Sequence, residues 1–517
     1  MSGDASDIID PAALPQDGQE HRLHPLSWLF VLVAQLKQFI VPLLVLLFAG
    51  SGKSGGAYGN DTWGLIAVAV LVAVSLAEYF TYRYRLHADG IVIRSGWLHR
   101  SVREIPFARI HNVSLQQTIL HRLVGVAEVR LESAGGVKPE AQMRVLRLDQ
   151  ALALEAMVRH RSFDPAQTHL ESAPAAAGSA PLLTLSTGEL VRLGLISNRG
   201  MLVVAAAFGA LAQTGDNVFG MLVERWGKVA FGGLSQWVGG HLHDSVLGIV
   251  VTAGSLLLMA LVLVRLLSVL LAILQYHGFT LSEDAGRLRV ERGLLARSRS
   301  SARRRRIQAW TLREGVLHRW FDRRSLRVDT ATGQRGKQEQ HTLKDLAPIA
   351  TPQRCDALIQ HFLPDAGWDA LDWQPLHRHA WLRIAGPGLL FALIAIAALG
   401  WRFGSWGLLA LALLPLQLWR ARRIANACGY ACNGRLAAWR TGWLSKTWNF
   451  AEVDKLQALR LAQSPLDRRL GMASLLLDTA GASPFGAPLH LRHLPLSAAQ
   501  ALSARLGSQL ARRPLHW

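Results

Sequence analysis

The chain contains few cysteines and few charged residues. Its 517 residues include only three cysteines, Cys355, Cys428 and Cys432, which are too few for a disulfide framework and are typical of a reducing compartment. Only 18% of the residues are charged, and the mean hydropathy is positive at +0.20. Because a soluble protein of this length needs more charge on its surface, and a disordered chain needs more polar residues, these values favour an integral membrane protein.

Acidic residues are also scarce relative to basic ones. The chain has 36 Asp and Glu against 56 Lys and Arg, which gives a net charge of +20 and an isoelectric point near 10.9. Such an excess indicates an anionic partner, either nucleic acid or an anionic membrane surface. The densest basic cluster has no interleaved aromatic residues for base stacking and lies near apolar segments, so membrane lipids are the expected partner and nucleic acid is not.

The sequence has no recognisable catalytic signature, so we expect no enzyme and no cofactor. Residues 50–54 imitate the end of a phosphate-binding loop, but Leu47 stands where its first glycine belongs. Two histidine pairs lack further ligands at a fixed spacing, so loop or interfacial histidines are the better interpretation and no metal is expected. These pairs are His241 with His243 and His377 with His379.

Six apolar segments approach the length of about 20 residues that a helix needs to cross a bilayer. They are residues 28–48, 63–80, 190–211, 246–274, 380–399 and 405–419. The third carries Arg192, Asn198 and Arg199, so we expect an interfacial segment followed by a helix that begins near Asn198. The predicted fold class is an α-helical integral membrane protein with about six transmembrane helices in three pairs, bearing three small β-rich domains.

Each pair of apolar segments precedes a polar region, which gives a predicted domain organisation. The parts are a polar tail 1–27, transmembrane pair 28–80, domain 81–163, Ala/Pro/Ser-rich linker 164–181, transmembrane pair 182–274, domain 275–375, transmembrane pair 376–419 and domain 420–517. More arginines lie beside the spans on the domain side than in the connectors opposite. By the positive-inside rule, the three domains and both termini are expected in the cytoplasm.

The three polar regions resemble one another in register. A turn with Asp89-Gly90 in the first region becomes Asn433-Gly434 in the third. A second glycine turn, an Arg-Ile-His-Asn or Arg-Ile-Gln-Ala stretch and a Leu-Gly-Val-Ala segment follow. The glycines of the second turn are Gly96, Gly293 and Gly442. Alternating apolar residues between these turns predict β-strands, and each region ends in a helical pattern, at 152–159, 353–362 and 497–511.

These motifs resemble those of the membrane-flanked bacterial pleckstrin-homology-like (PH-like) domain proteins that have three repeats. The resemblance covers nearly the whole chain after residue 25. It implies that each β-rich domain has a PH-like fold closed by a carboxy-terminal helix. It also implies a non-enzymatic role at a bacterial inner membrane, often beside a smaller membrane protein of the same family, and oligomers are possible. The third repeat departs most from the pattern, since Pro465 lies inside its last motif.

One dense basic cluster is the candidate binding site for lipids or other anions. It comprises Arg297, Arg299, Arg303, Arg304, Arg305 and Arg306. Arginine forks match phosphate oxygens, so the cluster is suited to lipid head groups of the cytoplasmic leaflet. The alternative is a solvated basic strand that an anionic bilayer attracts without specificity.

Arg265 is the candidate functional residue inside the membrane. It lies deep in the fourth apolar segment, where a charged side chain is costly and needs a partner or a wet path. It either faces the interior of the bundle, near Lys37, Gln35 or Ser268, or reaches the interface by tilt of the helix.

Two functions fit the sequence. The first is a binding or scaffolding protein whose cytoplasmic domains engage lipid head groups or a protein partner. The second is a transporter-like or envelope-defence factor against antimicrobial peptides that acts through its transmembrane bundle, in which Arg265 would be essential.

Overall fold

The computed structural model of the protein describes residues 20–22, 24–30 and 32, most of 70–133, then 141–161, 180–213, 246–330 apart from 285, 343–479 and 489–512. The first predicted transmembrane pair, residues 28–80, lies largely outside these described residues.

Each repeat unit contains a first group of four strands, a second group of three strands, a short helix and a closing helix. Unit 1 comprises β1 (Glu20–Arg22), β2 (Arg83–Leu86), β3 (Gly90–Ser95), β4 (Ser101–Pro106), β5 (Ile110–Gln117), α1 (Ile119–Val124), β6 (Val126–Ser133), β7 (Ala141–Arg147) and α2 (Leu148–Arg161). Helices α3 (Thr187–Ile196), α4 (Arg199–Gln213) and α5 (Val246–Tyr276) lie between the first and second strands of unit 2.

Units 2 and 3 repeat this order. Unit 2 comprises β8 (Leu183–Thr184), β9 (Thr280–Asp284), β10 (Arg287–Arg292), β11 (Arg297–Arg303), β12 (Ile307–Glu314), α6 (Val316–Trp320), β13 (Arg324–Thr330), β14 (Asp345–Ala350) and α7 (Pro352–Phe362). Helices α8 (Ala380–Phe403) and α9 (Leu413–Ala427) lie between the first and second strands of unit 3. Unit 3 comprises β15 (Gln374–Pro375), β16 (Gly429–Cys432), β17 (Leu436–Thr441), β18 (Lys446–Glu452), β19 (Leu456–Ala462), α10 (Pro465–Leu470), β20 (Met472–Thr479), β21 (Leu489–Pro495) and α11 (Leu496–Ala511).

The second glycine turn of each repeat requires glycine for a steric reason. Gly96, Gly293 and Gly442 have φ angles of 106°, 113° and 91°, in the region that side chains with a Cβ disfavour. A Cβ added to Gly293 would collide with the carbonyl oxygen of Ala296, and one added to Gly442 with that of Ser445. These turns reverse the chain between the third and fourth strands of each unit.

The strands of the three units form four sheets, and two of the sheets cross from one unit to the next. One four-stranded sheet has the order β1-β2-β3-β4, and one three-stranded sheet has the order β19-β20-β21. The two seven-stranded sheets have the orders β7-β6-β5-β11-β10-β9-β8 and β14-β13-β12-β18-β17-β16-β15. Each combines the second strand group of one unit with the first strand group of the next.

This sharing corrects the expected fold class. Three small β-rich domains, each closed by its own helix, were expected, but β5 pairs with β11 and β12 pairs with β18, which gives two seven-stranded sheets. An open sheet cannot extend through the hydrocarbon of a bilayer, because its backbone polar groups would lose their partners there. The three units therefore lie on the same side of the membrane.

The expectation of six transmembrane helices is also wrong for the described chain. Among its residues, two helices are long and apolar enough to cross a membrane, Leu257–Tyr276 within α5 and Ala380–Phe403. Helices α3 and α4 are bent by 51° at the break between them and count as a third span only if taken together.

The predicted span 405–419 is not one continuous α-helix, for a local reason. Gly404 has a φ of 58° and ends α8. A 3₁₀ helix, Gly404–Ala412, follows it, and α9 then carries three arginines near its end. The chain therefore returns along α8 as a 3₁₀ segment and a short helix, neither of which is by itself a helix of spanning length.

Small residues bring α3 and α4 into close contact with α5. A Cβ added to Gly194 would collide with the Cα of Val269, and one added to Gly200 with the carbonyl oxygen of Val264. The backbone amide of Gly200 donates a hydrogen bond of 2.8 Å to the buried hydroxyl of Ser268. Close approach at small residues is the usual way in which apolar helices associate within a membrane.

The short helix of each unit is followed by a residue in the left-handed conformation. Gly125 (φ 68°) follows α1 and Gly471 (φ 67°) follows α10. Unit 2 has Asp322 (φ 50°) at the equivalent position. A residue with a Cβ is strained there by roughly 1 kcal/mol relative to glycine.

We therefore expect Asp322→Gly to stabilise the protein. Removing the strain should raise the thermal midpoint by about 2 °C, measured by tryptophan fluorescence of the full chain in detergent. The reverse change, Gly471→Asp, should lower it. A lower midpoint for Asp322→Gly would show that the aspartate contributes more than its strain costs.

Candidate functional site at the joints between repeat units

The first joint, between β5 of unit 1 and β11 of unit 2, is a run of antiparallel residue pairs. The pairs are Gln117–Arg297, Gln116–Ser298, Leu115–Arg299 and Ser114–Ser300. Arg299 also forms ion pairs of 2.8 Å with Glu291 and 3.3 Å with Glu155. Since Glu155 belongs to α2 of unit 1, this arginine ties the two units together through side chains as well as through the backbone.

The second joint, between β12 and β18, is built in the same way around an aromatic stack. Its pairs are Trp310–Phe450, Thr311–Asn449, Leu312–Trp448, Arg313–Thr447 and Glu314–Lys446. The buried ring of Trp310 stacks on Phe450 of unit 3 with 6.2 Å between centroids, and on Phe362 of α7 at 5.8 Å. Aromatic burial of this size dominates a core, so units 2 and 3 share one hydrophobic core.

The two joints have the same register. Leu115 and Leu312 are equivalent residues of the repeat, as are their partners Arg299 and Trp448. Strand register is fixed by which residues face the core. The shared register therefore shows one pairing rule, in which the fifth strand of a unit accepts the fourth strand of the next.

One arginine closes each joint from the short helix. Arg122 of α1 donates a hydrogen bond of 3.0 Å to the carbonyl oxygen of Leu294. Its equivalent, Arg319 of α6, donates at 2.9 Å to the carbonyl oxygen of Trp443 and also to that of Leu444. The accepting carbonyls belong to the second glycine turns of units 2 and 3. This arginine recurs in all three repeats as Arg122, Arg319 and Arg468, and its recurrence is the one sequence feature that could have pointed to the joints. The pairing of the strands themselves left no recognisable pattern in the sequence.

A cavity of about 430 Å³ lies at the first joint, where the joint meets the end of α5. Its walls come from both units and from the residues that follow the helix. They are Leu115, Gln117, Leu148, Leu152, His277, Gly278, Thr280, Glu291, Arg292, Gly293, Arg297, Ser298 and Arg299. Two of the six predicted arginines, Arg297 and Arg299, are among them. The cavity combines an apolar side from α2 with a basic side from β11.

A buried polar cluster supports this side of the cavity. Asp345, which is nine-tenths buried, forms ion pairs of 3.0 Å with Arg292 and 2.9 Å with Arg327, and accepts a hydrogen bond of 2.6 Å from the hydroxyl of Tyr276. Burial opposes ionisation of Asp345, but the two arginines and the tyrosine hydroxyl together hold the pKa of its carboxyl below the usual range. Arg199 also donates to the Tyr276 hydroxyl at 2.7 Å. The cluster thus fixes Arg292 beside the end of α5.

The two predicted arginines at the cavity differ in whether they form ion pairs. Arg299 is held by its two carboxylates. Arg297 is exposed and, among the described residues, forms no ion pair. Arg297 is therefore the member of the predicted cluster that is available to an anionic ligand in this cavity.

The other four arginines lie elsewhere, so the six do not form one site. Arg303 ends β11, and a 3₁₀ turn, Arg304–Arg306, connects it to β12. Arg304 donates to the carbonyl oxygen of Phe362 at the end of α7. Desolvation, with the nearby charges of Arg303 and Arg305, lowers the pKa of the half-buried Arg306 to about 10. The Nζ of Lys455 in unit 3 donates to the Arg305 carbonyl oxygen at 2.7 Å, which places this turn beside unit 3.

Arg265 fills the break between α3 and α4. Its Nη1 donates to the carbonyl oxygens of Leu195 and Ser197 at 3.1 and 3.2 Å and to the Oδ1 of Asn198 at 3.2 Å. A helix end leaves carbonyl groups without partners, and in lipid each would be costly. Of the partners expected from sequence, Ser268 bonds Gly200 instead, while Gln35 and Lys37 lie outside the described residues.

The cysteines and histidines form no metal site in the part of the chain that the structure describes. Cys355 and Cys428 are buried and Cys432 is partly buried, and all three are free thiols. Burial raises the pKa of Cys355 to about 12. His377 and His379 lie with ring centroids 5.3 Å apart, and His241 and His243 fall outside the described residues.

Comparisons with known proteins identify the repeat. A family model described as "Bacterial PH domain" matches three times, at residues 31–162, 236–362 and 384–510. The chain is also 20% identical over 453 residues to the "UPF0699 transmembrane protein YdbT" of Bacillus subtilis (strain 168), which covers 87% of this chain and 90% of that protein. No solved structure matches the chain.

Asp345→Asn should destabilise the protein in a pH-dependent way. The pKa of Asp345 in the folded protein lies below the ordinary aspartate value of about 3.9. Its ion pairs therefore stabilise the fold fully above a pH of about 4 and are lost as the pH falls below that value. The difference in thermal midpoint between wild type and variant should be largest at pH 6 to 7 and shrink towards pH 3. Asp149→Asn, at an exposed aspartate, serves as the control; an equal effect of both changes would contradict the role given to Asp345.

Arg265→Leu should lower stability, because it leaves the carbonyl groups at the helix break without a donor. The expected loss is about 1–3 kcal/mol, measured as a fall in the thermal midpoint in detergent. Arg265→Lys keeps a donor and should retain part of the stability. Wild-type stability for Arg265→Leu would show that the helix break does not depend on this side chain.

Proposed function

The chain belongs to the bacterial PH domain family, and from this we propose that it is a non-enzymatic membrane protein whose joined units bind the phosphate of anionic lipids at the cytoplasmic face of the inner membrane. Its association with a membrane rests on the transmembrane relative and on the two apolar helices. The observation that carries the lipid-binding proposal is the cavity at the first joint.

The position of the cavity favours a lipid head group as its ligand. Tyr276 is the last residue of the apolar stretch of α5, and the next two residues, His277 and Gly278, line the cavity. The cavity therefore lies directly after the apolar stretch of α5, and we infer that this end of the helix is near the membrane interface. The guanidinium of Arg199 lies 4.6 Å from the centre of the Tyr276 ring, and such aromatic and basic residues are typical of the membrane interface.

The charges around the cavity favour a phosphate. Arg292 and Arg299 are already neutralised by carboxylates, whereas Arg297 keeps an unpaired guanidinium within the described residues. A guanidinium fork binds phosphate oxygens in a bidentate way. Leu148 and Leu152 also line the cavity and supply apolar surface, which suits the glycerol backbone of a lipid better than a free phosphate.

The joints make the three units a single platform for such binding. Because the two seven-stranded sheets connect the units through backbone hydrogen bonds, a lipid held at the first joint also fixes the orientation of unit 3. The exposed Arg305 and the rest of its turn add positive charge that a negative leaflet attracts. The cytoplasmic orientation follows from the distribution of arginines in the sequence.

The contacts of Arg265 do not favour the transport alternative. Its hydrogen bonds go to the backbone and side chain at the helix break. This is a structural use of an intramembrane charge, and it leaves the lipid-binding function as the one that we advance.

The test is binding of defined lipids to the full chain, because an excised middle unit would lack the strands β5 and β18 that complete its sheets. Thermal stabilisation of the detergent-solubilised protein is titrated with phosphatidylglycerol and, separately, with phosphatidylcholine. Arg297→Ser should weaken the apparent affinity for the anionic lipid about fivefold, as expected for the loss of about 1 kcal/mol.

Arg305→Ser is the matched control, since it removes an exposed arginine of the same cluster outside the cavity. It should leave the affinity for phosphatidylglycerol within twofold of wild type. Equal losses in both variants would reduce the cluster to a generic basic surface, and unchanged binding in both would overturn the proposal.

A further inference from the structure

We propose that the free edges of β4 and β19 pair with each other between two copies of this chain, so that the joints within the molecule continue from one molecule to the next. The partner is a second copy, and the association is head to tail, because the two edges are different surfaces of the same chain.

The repeat itself identifies these two edges as unfilled joints. Within the described chain, the fourth strands of units 2 and 3 and the fifth strands of units 1 and 2 are all paired across joints. The remaining fourth strand, β4, and the remaining fifth strand, β19, are the outermost strands of their sheets. By contrast, β7, β14 and β21 are outermost in every unit, so their open edges need no partner.

Exposure at the two edges shows what a partner would cover. Leu461 of β19 is 40% exposed, whereas its equivalents at the two joints, Leu115 and Leu312, are 5% and 1% exposed. Val102 of β4 is 64% exposed. Exposed apolar residues on an unpaired strand edge favour addition of another strand.

The register of the two joints predicts the residue pairs between copies. It places Leu461 opposite Val102, an apolar pair. It also places Gln463 opposite the exposed Arg100, and this repeats the Gln117–Arg297 pair of the first joint. The side-chain Nε2 of Gln463 already donates to the carbonyl oxygen of Met472 at 2.9 Å, as that of Gln117 does to Val126 at 3.0 Å.

The arginine that closes each joint is also present at the free edge. Arg468 of α10 is the equivalent of Arg122 and Arg319, and its side chain is exposed. In the two joints, this arginine donates to carbonyl oxygens of the glycine turn that precedes the incoming fourth strand. The repeat therefore predicts that Arg468 donates a hydrogen bond to a second copy across the proposed contact.

One pair opposes the association and makes it weak. The same register places Arg460 opposite Arg103, where the two joints have Ser114–Ser300 and Thr311–Asn449. Like charges directly across two strands are destabilising. We therefore expect reversible self-association that strengthens with salt, which screens this repulsion.

The geometry of the membrane permits this assembly. All three units lie on one side of the bilayer, so both edges of every copy are presented in the same layer. Head-to-tail contacts of this kind form rings if the rotation between copies closes and open chains if it does not.

The first test is disulfide crosslinking between two variants of the full chain, each carrying Cys432→Ser. One contains Val102→Cys and the other Leu461→Cys. Directly opposed residues of antiparallel strands lie about 4.5–5.5 Å apart, which a disulfide can span. Mixed in detergent under mild oxidation, the two should give a dimer of twice the 56.7 kDa chain mass, and neither should do so alone.

A crosslink in either variant alone would show a symmetric contact, and no crosslink in the mixture would exclude this pairing; both outcomes overturn the proposal. A mixture of Val102→Cys with Arg460→Cys is the register control and should crosslink poorly, because neighbouring residues of a strand point to opposite faces. If the purified chain stays monomeric and β19 crosslinks only to a different protein in cells, the proposal that a second copy of this chain pairs with β19 is wrong.

The second test measures the self-association constant by sedimentation of the full chain in detergent. Arg460→Ser, which restores the residue type of the first joint, should tighten association about threefold and remove its dependence on salt. Arg468→Ala should weaken it about tenfold. Unchanged association in both variants, or weaker association for Arg460→Ser, would overturn the proposed register.

Discussion

The backbone hydrogen bonds between β5 and β11 and between β12 and β18 are the constraint on which the rest of the molecule depends. Strand edges carry unpaired amide and carbonyl groups that must find partners. Here they find them in the next repeat, so neither joint can open without exposing two edges at once. This pairing places all three units on one side of the membrane, unites the cores of units 2 and 3 around Trp310, and builds the cavity at the end of α5.

The sequence predicts the contents of each unit well and the arrangement of the units poorly. The glycine turns at Gly96, Gly293 and Gly442 are where they were expected, since their positive φ angles require glycine. The family resemblance inferred from the repeats is confirmed by the triple match to the bacterial PH domain model. An alternating pattern tells which face of a strand is buried but not which strand lies beside it. For that reason three small domains were expected, and the sheets that join them were not foreseen.

The membrane helices show a second limit of sequence patterns. Apolar composition identified the region of 190–211, and the structure breaks it between Ile196 and Arg199. The break depends on a contact from a distant helix, because Arg265 supplies donors to carbonyl groups that would otherwise be unsatisfied. In the same way, 405–419 is apolar enough to span, but the conformation of Gly404 ends the preceding helix and starts a 3₁₀ segment. Hydropathy contains neither contact information nor backbone geometry.

The candidate site illustrates how folding divides a basic cluster. Six arginines in ten residues resemble one anion site in the sequence, but a strand followed by a tight turn sends them to two places. Carboxylates hold Arg299, the end of α7 holds Arg304, and Arg297 remains open to the cavity at the first joint. Charge density alone therefore overstates the number of ligand-binding groups. A guanidinium can bind a phosphate only where the fold leaves it without a carboxylate, and for this reason the proposed lipid site rests on Arg297.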